Sequence, residues 1–159
     1  LAMANFAEKA SKSGVDGLIV VNLPPEEAED LQLSLKQNDI DLIYLLAPTT
    51  TEKRSAFIAE KASGFLYYVS LKGITGAGHI EVDEVSSRIE SLREITDLPL
   101  CVGFGIKNAT TATEIGKFSD GVVVGSALVD LMSESESIDV TAKELESAVS
   151  SIRQGLDSI

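Results

Sequence analysis

Apolar residues along this chain fall into two alternating patterns. Short continuous runs rich in β-branched and aromatic residues span Gly17 to Val21, Asp41 to Leu46, Phe65 to Val69, Leu100 to Phe104 and Gly121 to Gly125. Between them lie longer stretches in which apolar positions recur every three or four residues, as Val85, Ile89 and Leu92 do between Glu84 and Ile95. Continuous runs predict strands buried on both faces, and the longer stretches predict amphipathic helices. The runs recur roughly 22 to 35 residues apart, which is one strand and one helix per repeat, and that alternation builds a parallel sheet with crossover helices.

Punctuation between the runs fits this reading. A helix over Leu1 to Ser13 ends at Ser13-Gly14, and a second ends at Asn38-Asp39. Pro24 and Pro25 followed by Glu26 and Glu27 put proline in a first helical turn and acids at the positive end of the helix dipole. Thr49, Thr50, Thr51 and Glu52 offer caps to a helix from Lys53 to Ala62, and Asn108 or Thr110 caps one that runs to Phe118. Thr141 to Leu156 forms the last helix, after a polar link from Ser133 to Ser137. The fold class is therefore α/β, a single domain over residues 1–159 that supplies about five βα units of a (β/α)8 barrel. Five strands do not close a barrel of eight. Two open edges are expected to drive self-association or poor order, and the chain reads as starting partway through a unit, with no strand before its first helix.

Charge and composition narrow the partners. With 25 acidic against 13 basic residues the net charge is −12, and the basic residues are nowhere concentrated, which disfavours nucleic acid and anionic membranes. No apolar stretch approaches the ~20 residues needed to span a bilayer, and the N-terminus lacks the charged-then-apolar layout of a signal peptide. A cytoplasmic protein is expected. The single cysteine, Cys101, lies in an apolar run and reads as an inert buried thiol. His79 is the sole histidine, so metal or triad chemistry has nothing to pair with it. Glu26, Glu27 and Glu29 read as helix-start charges rather than an acid/base pair.

In a barrel of this kind the chemistry sits at the C-terminal ends of the strands. The third run is followed by a glycine-dense loop, Ser70 to Gly78; the fourth by Gly103-Phe104-Gly105-Ile106; the fifth by Gly125-Ser126-Ala127-Leu128, which opens a helix. Missing side chains at Gly105 and Gly125 let main-chain N–H groups reach an anion, and the helix start at Ser126 adds a hydroxyl and a positive dipole end. Taken singly, these glycines need be no more than tight turns. Together, on adjacent last strands, they match the arrangement by which barrels bind phosphate.

The runs Gly14-Val15-Asp16-Gly17, Leu23-Pro24-Pro25-Glu26-Glu27, Leu46-Ala47-Pro48-Thr49, Tyr67-Tyr68-Val69-Ser70, Gly73-Ile74-Thr75-Gly76-Ala77, Gly103-Phe104-Gly105-Ile106 and Asp120 to Ala127 occur in an order and at distances that resemble the tryptophan synthase α subunit family. That resemblance implies retro-aldol cleavage of indole-3-glycerol phosphate to indole and glyceraldehyde 3-phosphate, within tryptophan biosynthesis. It implies no cofactor in this subunit, and an α2β2 complex in which only the partner β subunit carries pyridoxal phosphate. It places Gly76, Gly105, Gly125 and Ser126 at the substrate phosphate, Thr75 in the mobile loop, Tyr67 beside the catalytic acid, and Asn22 and Phe104 in the pocket. Two departures stand out. The family's catalytic glutamate and indole-binding aspartate would precede Leu1, so the chain by itself is expected to be inactive; and Asn22 stands where the family usually has aspartate. Alternatives are a non-catalytic folding or assembly module, and another phosphate-binding barrel such as a sugar-phosphate isomerase.

Overall fold

The computed structural model describes residues 2–69, 82–103, 105–134 and 137–159. Helix α1 (Ala2–Lys12) leads into strand β1 (Gly17–Ile19), and a 3-10 turn (Pro25–Glu27) precedes α2 (Glu29–Lys36). Then follow β2 (Asp41–Leu46), α3 (Glu52–Lys61), β3 (Leu66–Val69), α4 (Val82–Arg93), β4 (Leu100–Gly103), α5 (Ala109–Gly116), β5 (Gly121–Val123), α6 (Ser126–Glu134) and α7 (Ile138–Asp157). The five strands form one sheet in chain order, every neighbouring pair parallel. Five consecutive βα units are thus present, as the spacing of the runs predicts.

The two faces of the sheet differ. Leu42, Tyr44, Leu46, Leu66, Tyr68, Leu100 and Val102 alternate along β2 to β4 and join Leu35, Ile58, Val85, Ile89, Leu92, Ala112 and Ile115 from the helices in one buried core. Burying such side chains contributes about 1.5–3 kcal/mol each. The opposite face carries Ile19, Leu45, Tyr67, Val69, Cys101 and Val123, none of them fully buried. Apart from Asp41 and the glycines, the strands are therefore apolar on successive positions, yet alternate positions meet the helices. Cys101 belongs to this second face, half-buried, with burial and the charge of Asp120 pushing its thiol up and away from reactivity.

Small residues interlock with large ones across that second face. A Cβ on Gly17 would lie 2.8 Å from Ile43 Cδ1, and one on Gly121 would lie 3.0 Å from Cys101 Sγ. Each glycine leaves room for the neighbouring strand's side chain, a size alternation that lets a barrel interior fill without strain. Between helices the same device recurs. A Cβ on Gly116 would meet Leu156 at 2.5 Å, and one on Gly155 would meet Thr113 Oγ1 at 2.7 Å, so α5 and α7 approach closely around buried Ile152.

Caps fall where the sequence places them. Thr51 accepts from the Arg54 N–H at the start of α3, and Asn108 and Thr111 form a reciprocal capping box at α5. Gly14 (φ 81°) and Asp39 (φ 54°) take the left-handed conformation that reverses the chain after α1 and α2. Several boundaries differ from the sequence expectation: α7 begins at Ile138 rather than Thr141, α6 extends through Ser133 into the expected link, and three others have a clear local cause. The paired part of β1 stops at Ile19 because the chain turns at once, with the Leu23 N–H donating to Val20 O at 3.2 Å. Pro24 and Pro25 start a 3-10 turn, so α2 begins only at Glu29. Helix α5 ends at Gly116, where Phe118 and Ser119 both donate back to Ile115 O.

Side chains fasten the strand starts. The Leu100 N–H donates to Asp120 Oδ2 at 2.8 Å while the Asp120 N–H returns to Leu100 O at 2.9 Å, and Arg93 lies 3.0 Å from the same carboxylate. Burial alone would raise the Asp120 pKa, but the Leu100 N–H and the Arg93 guanidinium outweigh it and hold the carboxyl below its usual range. A carboxylate whose folded pKa is depressed stabilises the fold above its unfolded pKa of about 3.9, and that contribution disappears as pH falls through the lower folded value. Acid titration of unfolding should therefore show the wild-type chain losing stability more steeply than Asp120→Asn below about pH 4. Parallel acid limbs for the two proteins would contradict this assignment.

Candidate phosphate and substrate pocket

Because every strand runs the same way, the residues that follow them gather at one end of the sheet. Gly103 pairs with Val123 in register, so Gly105 and Gly125, two positions further along each strand, occupy adjacent strand tips. Gly105 has φ 49°, and among the described residues, chain neighbours aside, no atom lies within 4 Å of a Cβ built there or on Gly125. Both are exposed, so their main-chain groups open onto free space. Only at Gly105 does the conformation itself call for glycine. At Gly125 the open space is what distinguishes the site.

Helix α6 begins at that tip. The N–H groups of Leu128 and Val129 both donate to Gly125 O, at 2.9 and 3.1 Å. The first N–H groups of the helix, on Ser126 and Ala127, have no acceptor within it, and the exposed Ser126 hydroxyl stands beside them. Two bare glycine tips next to a nine-residue helix start form a cradle for an anion, set in an otherwise strongly acidic chain.

Tyr67 shares this end of the sheet. It pairs with Cys101 in register, but its ring leans forward over Gly103, where a Cβ would fall well inside van der Waals contact of the phenol oxygen, Cζ and Cε2. Gly103 is thus the seat of the tyrosine ring. Burial pushes the Tyr67 hydroxyl up, so it stays protonated at neutral pH as a hydrogen-bond donor. Tyr67 lies outside the helix-side core, which separates it from Tyr68, whose side chain is packed beneath the helices.

Asn22 sits exposed in the turn after β1. Its loop lines a cavity of about 270 Å³ whose opposite wall includes Tyr44, Arg54 and Ile58. Glu26 is paired with Arg54, whose guanidinium holds the carboxyl below its usual range, with a backbone bond adding to the effect. Burial pushes the Tyr44 phenol up, and the charge of Glu26 pushes it further. Thr75, Gly76 and Phe104 lie outside the described residues, as does the rest of Ser70 to Gly78 with His79. Sequence reasoning gives Gly103 no role apart from its neighbours and reads Glu26 only as a helix-start charge. Neither the tyrosine seat nor an ion pair 28 residues apart leaves a local signal. Among the described residues no group of three or more His, Cys, Asp or Glu could hold a metal, and no helix is long and apolar enough to cross a membrane.

A single parallel sheet of five successive βα units in chain order, with its strand tips gathered at one end, defines part of a (β/α)8 barrel. Comparison with known proteins narrows the class. The family model described as tryptophan synthase alpha chain matches residues 1–157. The tryptophan synthase alpha chain of Marinobacter nauticus is 44% identical over 155 residues, and that of Neisseria meningitidis serogroup B is 48% identical over 149. These alignments cover 97% and 91% of this chain but 57% of each relative, so the chain spans little more than half the length of the curated relatives it matches. The crystal structure of tryptophan synthase subunit alpha from Legionella pneumophila superposes with a TM-score of 0.84 at 36% identity, covering 99% of this chain and 58% of that one. A structure of the tryptophan synthase α2β2 complex from Pyrococcus furiosus also gives 0.84, at 31% identity, covering 96% and 61%. The chain belongs to the tryptophan synthase alpha chain family.

Proposed function

We propose that this chain is the phosphate-binding and tyrosine-bearing portion of a carbon–carbon lyase that cleaves indole-3-glycerol phosphate to indole and glyceraldehyde 3-phosphate. The observation that carries this reading is the cradle at the tips of β4 and β5: Gly105 and Gly125, clear of the other described side chains, beside the first turn of α6 with its free N–H groups. A phosphate dianion there would accept from the main-chain N–H groups of Gly105, Gly125 and Ser126 and from the Ser126 hydroxyl. Gly76 would approach it from the loop after β3, with Thr75 closing over the substrate. Anchored by its phosphate, the substrate's carbon chain would run toward Tyr67, with Asn22 and Phe104 completing the pocket wall.

The cleavage itself needs two proton transfers. The hydroxyl on the carbon bonded to the indole ring loses its proton and becomes the aldehyde as the C–C bond breaks, while the ring carbon that takes the electron pair gains a proton. Such transfers contribute about 10²–10⁴-fold each when a positioned group performs them. Tyr67 donates a hydrogen bond but is too weak an acid to carry the cycle near neutral pH. We assign the acid/base work to carboxylates on further βα units, which would also pair the outer edges of β5 and of β1, where Ile19 stands exposed with Val21 just beyond it. The 159 residues then act as one domain of a single barrel, inactive until completed. In this reading the subunit works in the cytoplasm without a cofactor of its own, and passes indole to a pyridoxal-phosphate-bearing β subunit.

Two measurements test this. Glycerol 3-phosphate added to the ¹⁵N-labelled chain should shift the amides of Gly105, Gly125 and Ser126 ahead of all others. The barrel extended by the units its relatives carry should release indole from indole-3-glycerol phosphate, faster with a β subunit present. Unmoved tip amides together with no indole would leave an assembly module as the better account.

A further inference from the structure

Glu26 looks like a helix-start charge in the sequence, yet its carboxylate is engaged by α3. Arg54 donates through both terminal nitrogens, Nη1 to Oε1 and Nη2 to Oε2, the latter at 3.0 Å. This two-pronged arrangement fixes orientation as well as distance. The guanidinium also lies 5.5 Å from the centroid of the Phe57 ring, which confines it from one side.

Apart from the packing of Val20 and Leu23 against the core, few contacts among the described residues fix the segment it grips. Residues 20–25 line the cavity of about 270 Å³ above Tyr44 and Ile58; Val20 and Leu23 pack against the core, while Asn22 between them is exposed and has no such packing. The backbone bonds after β1 stay local, Leu23 N–H to Val20 O at 3.2 Å and Glu27 N–H to Pro24 O at 3.0 Å. The Tyr44 hydroxyl on the cavity floor is buried without a hydrogen-bond partner among the described residues, so it supplies no second anchor. Among those residues, the Glu26–Arg54 pair is the hydrogen-bonded side-chain link between this loop and the next βα unit, added to the apolar packing of Val20 and Leu23.

We propose that Arg54, acting through Glu26, is the positioning residue that sets where Asn22 stands at the pocket mouth. This rests on the reading of Asn22 as a pocket residue. Arg54 touches no substrate; it fixes the far end of a loop whose near end is fixed by the β1–β2 ladder, and Asn22 lies between those two points. The interaction is solvent-accessible, so its effect is modest and confined to the loop.

The test uses the 159-residue chain and, separately, the completed barrel. In the chain, Arg54→Ala and Glu26→Ala should each raise amide exchange at Leu23 and Glu27 by about three- to fivefold, the range open to an accessible ion pair, while amides in β2 and β3 keep their parent rates. Arg54→Lys should recover part of the protection, and the exchanged pair Glu26→Arg with Arg54→Glu most of it. In the completed barrel, Arg54→Ala should lower kcat by about fivefold with the glycerol phosphate affinity unchanged, and should add nothing when Asn22 is already alanine. Unchanged loop exchange, or a rise spread evenly over the sheet, would overturn the tether. An Arg54→Ala loss that persists undiminished in the Asn22→Ala background would overturn its action through Asn22. A parent barrel that makes no indole would sink the proposed activity instead, leaving the exchange result to decide the tether.

Discussion

Gly103→Val should lower the unfolding free energy by about 1–3 kcal/mol, the usual cost of forcing extra methyl groups into a filled space. It should also displace Tyr67, the tyrosine proposed to line the pocket. The seat of Tyr67 is the missing side chain of Gly103: any Cβ there overlaps the phenol ring, and valine adds two methyl groups to the same volume. Relief can come only from the ring, since Gly103 is buried within a strand paired on both sides. The test is a double-mutant cycle in urea with Gly103→Val, Tyr67→Ala and both together. If the two side chains compete for one space, the valine costs far less once the ring is gone, a coupling of about 1 kcal/mol or more. Additive effects would show that Gly103 matters for some reason other than the tyrosine. In the completed barrel the valine variant should also lose most of its indole-forming activity, because a rotated phenol no longer faces the substrate.

That prediction depends on a relation the sequence shows only in part. Continuous apolar runs at regular spacing make the number, order and direction of the strands legible, and caps such as Thr51 and Asn108 make helix starts legible, because both are local consequences of neighbouring residues. Which glycine serves as a tip amide and which as a seat for a ring is not local. Gly103 and Gly105 are two residues apart and look alike in the chain, yet one is buried under Tyr67 and the other is exposed at φ 49°. The difference is created by the register of β3 on β4, a long-range fact. Glu26 fails for the same reason. Its place after two prolines explains a helix-start charge completely, so nothing in the sequence calls for a partner on another helix.

Strand boundaries were legible to within a residue or two for a related reason. The runs after Ile19 and Val123 continue apolar, but the paired strand ends there because the chain is already turning away from the ladder. The residues proposed for binding lie just past the paired portion: Asn22, Gly105 and Gly125 are all within three positions of a strand end. A sheet of this kind holds such residues on a rigid edge while leaving their main-chain groups free of the ladder, which is what an anion site made of amides requires.

The same logic gives a sharp separation between stability and binding at Ser126. Aspartate at this position sits in the first turn of α6, where a negative charge is favourable to the helix by about 0.3–1 kcal/mol, and the site is exposed, so no packing is disturbed. Ser126→Asp should therefore unfold at the same denaturant concentration as the parent or slightly higher. Toward a phosphate the effect reverses. Two unit charges about 4 Å apart near a protein surface repel by about 4 kcal/mol, and even partial relief by solvent leaves about 3 kcal/mol, a loss of about 10²-fold or more in affinity. Ser126→Ala, which removes one neutral hydroxyl donor, should weaken binding by about five- to tenfold only. Isothermal titration of glycerol 3-phosphate into the completed barrel, run beside urea unfolding of the same variants, checks both halves. An aspartate variant that binds phosphate as well as the parent would place the anion elsewhere on the molecule, and one that loses binding and stability together would show that Ser126 serves the fold rather than the ligand.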